Sequence, residues 1–152
     1  RNVSSTAETG EGDFTLDLSL IEPFVITPFV AWQQNHFSDD PSNAAPEADP
    51  DRDGSNNLLE YALDSDPVSA RPAMLEVSRE WRLKHPRRSD ETISYAYEAS
   101  LDLKTWRLLT EGEDYESTIS DGSASITLVT AVEETFLRIR ADLIVIEALD
   151  ER

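Results

Sequence analysis

Phe14, Leu16, Leu18 and Leu20 alternate with Thr15, Asp17 and Ser19, a period of two that predicts a half-buried strand over residues 14–21. The twelve residues before it, RNVSSTAETGEG, are small and polar and read as a flexible leader. After Pro23 the period changes. Thr27 followed by Pro28 has the form of an N-cap and first helical residue, and Phe29, Trp32, His36 and Phe37 then recur at helical spacing, so a helix is expected over 28–37. Residues 38–53 are rich in acid, proline and alanine without periodicity and read as loop. NLLEYAL, residues 57–63, can form a second short helix that buries Leu58, Leu59, Ala62 and Leu63, with Pro67 preventing it from running on.

From Met74 onward strand patterns follow one another at the spacing of an antiparallel sandwich. The expected strands are 75–83, 92–99, 105–110, 116–120, 125–132, 135–141 and 143–148, and Asp121–Gly122 supplies the clearest hairpin turn. The pattern predicts a mainly β protein, an immunoglobulin-like or jelly-roll-like antiparallel β-sandwich carrying a small helix–loop–helix insert. Three segments result: leader and first strand (1–26), helix–loop–helix (27–70) and sandwich (71–152).

Composition narrows the partners. Thirty-one acids against 13 bases give a formal charge of −18, and the first 70 residues hold fourteen acids against two bases. Nucleic acid and anionic lipid call for clustered cationic side chains, so cations are the favoured partners. No run approaches the ~20 apolar residues that cross a bilayer, which predicts a soluble protein without membrane insertion. The start at Arg1 fits a chain whose export signal has been removed, and a secreted protein without cysteine needs a stabiliser other than disulfides.

The string DPDRDGSNNLLE, residues 49–60, supplies such a stabiliser. It matches the EF-hand calcium loop position by position: Asp49, Asp51 and Asp53 at positions 1, 3 and 5, Gly54 at 6, Ser55 at 7, Asn57 at 9 and Glu60 at 12. Calcium needs six to eight hard oxygens around one ion, reached from a chain that turns sharply at position 6, where glycine is cheapest. The aspartates point inward on alternate residues, Ser55 offers its carbonyl, Asn57 binds directly or through water, and Glu60 closes the shell bidentately. An acid-rich solvated loop needs neither the glycine nor the distant Glu60. Position 8 holds Asn56 where paired EF-hands carry an apolar residue, so a solitary structural site is expected. Asp64 and Asp66 could add oxygens, and a helix-ending turn explains them equally well.

AWQQNHF, ADPDRDGSNNLLEYALDSDP, YEASLDLKTW and FLRIRA together resemble a module common near the C-termini of large secreted bacterial proteins. Its calcium loop is similar to those of dockerin and thrombospondin type 3 repeats. The resemblance covers residues 31–141. It implies calcium ligands at Asp49, Asp51, Asp53, Asn57 and Glu60, and association with hydrolases, adhesins or surface anchors, with no enzymatic role for the module itself.

Other chemistries find weaker support. The chain has no cysteine, GxSxG or HExxH, and its two histidines, His36 and His85, fall in a helix and beside a turn, so a non-enzymatic protein is expected. Trp32, Trp81, Trp106, Tyr95, Tyr97 and Tyr115 could stack on sugars, which makes carbohydrate binding or adhesion the alternative function. Trp32 lies on the helix's apolar stripe, and Tyr95 and Tyr97 share a strand face with Ile93, so most of these rings read as core. Arg79, Arg82, Lys84, Arg87 and Arg88 form the one cationic group, a solvated hairpin or a contact for another copy. The N-terminal strand, tethered by a polar leader and Pro23, could complete a neighbour's sheet or pair within its own. The expected function is accordingly a secreted calcium-binding structural or surface protein that self-assembles by strand addition into a filament, tube or layer, with other copies of itself as partners.

Overall fold

The computed structural model describes residues 26–78, 82–129 and 136–144. The expected strand at 14–21 and most of that at 143–148 lie outside the described residues. Helix α1 (Pro28–His36) begins as its sequence requires: Thr27 is extended, its Oγ1 accepts from the Val30 N–H at 3.3 Å, and Pro28 takes the first helical position. Phe37 closes the helix through its N–H to the Gln33 carbonyl. A single 3₁₀ turn follows at Pro41–Asn43. Helix α2 (Asn57–Leu63) has the expected boundaries, with the Asn56 side chain accepting from the Leu59 N–H at 2.9 Å and Asp64 capping the far end in the left-handed region at φ 56°.

Seven strands follow: β1 (Glu76–Val77), β2 (Arg82–Pro86), β3 (Ile93–Ser100), β4 (Arg107–Leu108), β5 (Tyr115–Ser120), β6 (Ser123–Leu128) and β7 (Phe136–Leu143). They form a four-stranded sheet in the order β1-β2-β6-β5 and a three-stranded sheet in the order β4-β3-β7, every ladder antiparallel. One buried cluster draws Leu83, Tyr115, Ala124, Ile126 and Leu128 from the first sheet and Tyr97, Ala99 and Ile139 from the second, as two sheets packed face to face require. A second cluster joins Phe29, Trp32 and Phe37 around α1 to Leu58, Tyr61 and Ala62 of α2 and Ile93 of β3. The architecture is mainly antiparallel β with two short helices, consistent with a β-sandwich.

The strand expected at 125–132 begins at Ser123 and ends at Leu128, and three others differ more from expectation. The single strand expected at 75–83 is a return: β1 pairs with β2, Glu76 opposite Lys84, and the Ser78 N–H meets the Arg82 carbonyl at 2.9 Å. A period of two reports the pleat and is blind to a chain that doubles back. The strand expected at 105–110 shrinks to two residues. Asp102 takes the N–H groups of Lys104 and Thr105, and Asp114 takes that of Thr110, which removes those donors from any ladder. The break expected after residue 141 is absent, because Asp142 points outward beside Arg140 and leaves β7 intact to Leu143. Among the described residues no helix is long and apolar enough to cross a membrane.

Candidate metal centre

The loop between the helices is built from its own carboxylates. Asp49 accepts from the Arg52 N–H at 2.8 Å and the Gly54 N–H at 3.1 Å, Asp51 from the Asp53 N–H at 3.1 Å, and Asp53 from the Ser55 N–H at 2.8 Å. Each aspartate spends one or both oxygens holding the curve, and the curve brings ligand oxygens of Asp49, Asp51 and Asp53 within 4.8 Å of one another. Gly54 sits at φ +97°, and a Cβ there would meet nothing within 4 Å, so the backbone conformation alone demands glycine.

The loop ends are tied to the helices. The Asn57 N–H reaches the Ala48 carbonyl at 2.8 Å and the Leu58 N–H the Pro46 carbonyl at 3.0 Å, while Asn57 Nδ2 donates to the carbonyls of Asn43 at 2.7 Å and Ala45 at 2.8 Å. These ties fix α2 against the loop and carry Glu60 inward. Glu60 and Asn57 are both wholly buried, and Ser55 is buried beside them.

What distinguishes the site is an excess of acceptors. Asp51 Oδ2, Asp53 Oδ2, Asn57 Oδ1 and both carboxylate oxygens of Glu60 are buried with no hydrogen-bond partner. An orphaned buried acceptor costs about 1–3 kcal/mol, more when charged, so five of them around one loop favour an occupant that several can bind at once. Burial first, and then the charges of Asp51, Asp53, Asp49 and Asp66, push the Glu60 carboxyl up to about 7, and burial likewise raises Asp51. Protonation, ordered water or a cation relieves such a group, and a cation serves the most oxygens together. The Asp49, Asp51 and Asp53 group could hold a metal ion.

Of the six residues expected as ligands, the three aspartates form the close group. Asn57 and Glu60 present free oxygens from α2, with Glu60 outside the closest cluster of carboxylates yet within range of its charge. Asp64 belongs elsewhere. It caps α2 and pairs with Arg88, whose side chain also donates to the Tyr61 carbonyl at 2.8 Å and lies 4.4 Å over the Tyr61 ring. Asp66 accepts from the Val68 N–H at 3.2 Å and contributes charge toward Glu60. Sequence reading missed Ser65, whose Oγ is also buried without a partner, because the EF-hand template ends five residues earlier.

The other candidates disperse. Arg87 lies 3.8 Å over the Tyr95 ring and Arg88 clasps the end of α2, so two members of the cationic group serve packing. His85 is buried between the sheets: Pro86 O can only accept, so Nδ1 carries the hydrogen at 2.6 Å, and Nε2 receives the Tyr97 hydroxyl at 2.9 Å. Burial lowers its pKa. His36 packs against Trp32 with ring centroids 4.7 Å apart and the planes tilted by 46°. Among the rings considered for sugar stacking, Trp32, Tyr97 and Tyr115 are buried, Tyr95 lies under Arg87, Trp106 has Arg138 at 4.2 Å over its face, and Trp81 lies outside the described residues. No protein-family model, curated protein or solved structure matches the chain.

Proposed function

We propose that residues 49–60 bind one calcium ion and that the chain is a calcium-stapled, non-catalytic structural module of a secreted or surface protein. The observation that carries this reading is the wholly buried Glu60, with both carboxylate oxygens unpartnered beside three aspartates. Asp49, Asp51, Asp53, Asn57 and Glu60 supply side-chain oxygens, and Ser55 its backbone carbonyl. All are hard donors, the set calcium prefers. Bound calcium supplies two positive charges where four carboxylates otherwise repel.

The staple acts through α2. Leu58, Tyr61 and Ala62 pack with α1 and Ile93, and Leu63 reaches the core between the sheets. Fixing Glu60 to the loop therefore fixes both clusters at once. A single site with an exposed loop suits the weak, extracellular range of calcium affinities, where the ion is abundant and constant and the site serves as structure. The order β1-β2-β6-β5 with β3 and β7 in the facing sheet supports the immunoglobulin-like type over the jelly roll, since four strands then follow the A-B-E-D order.

Thermal unfolding in calcium, magnesium and chelator tests the proposal. Binding to the folded state alone stabilises by about 2.7 kcal/mol at a hundredfold excess over Kd. Calcium is expected to raise Tm more than magnesium, which demands a tighter octahedron. Glu60→Gln is expected to lose the calcium increment. An equal response to chelator in both proteins would remove the site from the account.

A further inference from the structure

Among the described residues the three-stranded sheet ends on β7. Among the described residues β7 pairs only with β3, through an eight-residue ladder from Phe136 opposite Ser100 to Leu143 opposite Ile93. No strand of the described residues meets its other edge, and an edge of that kind is the arrangement that recruits a further strand. The other outer strands are poorer acceptors. β1 and β4 are two residues long, and β5 leaves Ile119 exposed and carries Glu116.

Beside that edge runs a groove lined by Asn56 and Leu59 of α2 and by Arg138, Ile139, Arg140 and Ala141. Its character alternates. Ile139 is buried in the core between the sheets and Leu59 packs on it, Ala141 packs on the helical cluster, and Arg138 and Arg140 face outward around Glu98. A strand fitting there needs apolar residues on one face and an acid on the other.

We propose that residues 14–21 of the same chain, FTLDLSLI, pair with the free edge of β7 and complete the three-stranded sheet as its fourth strand. This rests on the sheet edge and is independent of the calcium reading. The segment is eight residues long, as β7 is. In the antiparallel arrangement full overlap sets Leu18 opposite Ile139, Leu16 opposite Ala141 and Leu20 opposite Leu137, and a parallel strand sets Leu18 opposite Ile139 when offset by one residue. Asp17 then meets Arg140 in the antiparallel arrangement and Arg138 in the parallel one. Reach favours pairing within one copy. Phe29, at the start of α1, lies in the cluster that Ala141 packs against, and residues 22–27 can span about 20 Å. The chain after β7 competes poorly for the same edge, because Val145, Ile146 and Glu147 lack the Gly, Asn or Asp of a tight return.

The absence of cysteine makes the test direct. In calcium-containing buffer, Thr15→Cys is combined with Asp142→Cys and with Phe136→Cys, the positions opposite it at the outward face in the antiparallel and the parallel arrangement. At least one combination is expected to oxidise to an intramolecular disulfide in the monomer. Separately, β7 amides not bonded to β3 are expected to exchange at least about tenfold faster after residues 1–21 are deleted. Disulfides that join two copies in every combination overturn the proposal and make the segment a strand exchanged between molecules. Absence of any disulfide, with β7 exchange unchanged by the deletion, overturns it as well.

Discussion

Glu98 and Glu60 are both buried carboxylates, and the protein treats them in opposite ways. Glu98, on the outer face of the three-stranded sheet, receives Arg138 and Arg140 from the neighbouring strand, and His85, between the sheets, is satisfied by Tyr97 and Pro86. Glu60 receives nothing, and every buried side-chain oxygen without a partner among the described residues falls between Asp51 and Ser65. The sheets balance their own polar groups. The helix–loop–helix segment leaves its buried oxygens unpartnered, and on the proposed reading calcium balances them, so the two regions should answer differently to the same perturbations.

The largest effect should be indifferent to calcium. Ile126 sits in the core between the sheets, and Ile126→Ala is expected to cost about 2–5 kcal/mol by equilibrium unfolding, equally in calcium and in chelator. Asp49→Ala should do the reverse, abolishing the calcium increment of about 2.7 kcal/mol at hundredfold excess while leaving stability in chelator little changed. A loss shared by both conditions would mean that the loop carries the fold by itself.

Gly54→Ala sharpens the contrast within the loop. No atom lies where the new methyl would go, so the cost is the positive φ alone, about 1–2 kcal/mol. It is expected in the calcium-bound state, where the curve must be held, and a tenfold weaker calcium affinity would report it.

Acid should act with opposite signs on the two regions in chelator. The His85 pKa is lowered from 6.5, so the unfolded chain takes up that proton first and stability falls as pH drops below about 6.5, by at most about 1.4 kcal/mol per unit. The Glu60 pKa is raised from 4.5 to about 7, so the unfolded chain releases that proton first and stability is lost as pH rises from about 4.5 to 7. Unfolding profiles of His85→Gln and Glu60→Gln, each subtracted from the wild type, isolate the two slopes. Slopes of the same sign would break the distinction.

The smallest effect belongs to Asp64, an exposed partner of Arg88. Asp64→Asn is expected to cost less than about 1 kcal/mol and to leave calcium affinity unchanged, which separates the helix cap from the ion site.

How far the sequence foretold this follows from how local each feature is. Helix α2 was legible to the residue because its apolar spacing and its stop lie within a dozen positions, and the close approach of Asp49, Asp51 and Asp53 is likewise a property of one short loop. The return of β1 onto β2 was not legible, because alternation persists through it. Nor was the double tie from Asn57 to Asn43 and Ala45, whose partners lie twelve and fourteen residues away. Arg87 and Arg88 read as part of a charged hairpin because only the folded chain brings Tyr95 and Tyr61 beneath them.

Calorimetric titration of calcium into the wild type and Glu60→Gln decides whether residues 49–60 hold the ion. The wild type is expected to bind one ion per chain with a Kd of about 10⁻⁴–10⁻³ M, the range of extracellular modules, and Glu60→Gln to show no binding there. A wild type that takes up no calcium at millimolar concentration, or a Glu60→Gln variant that binds as tightly, would contradict it.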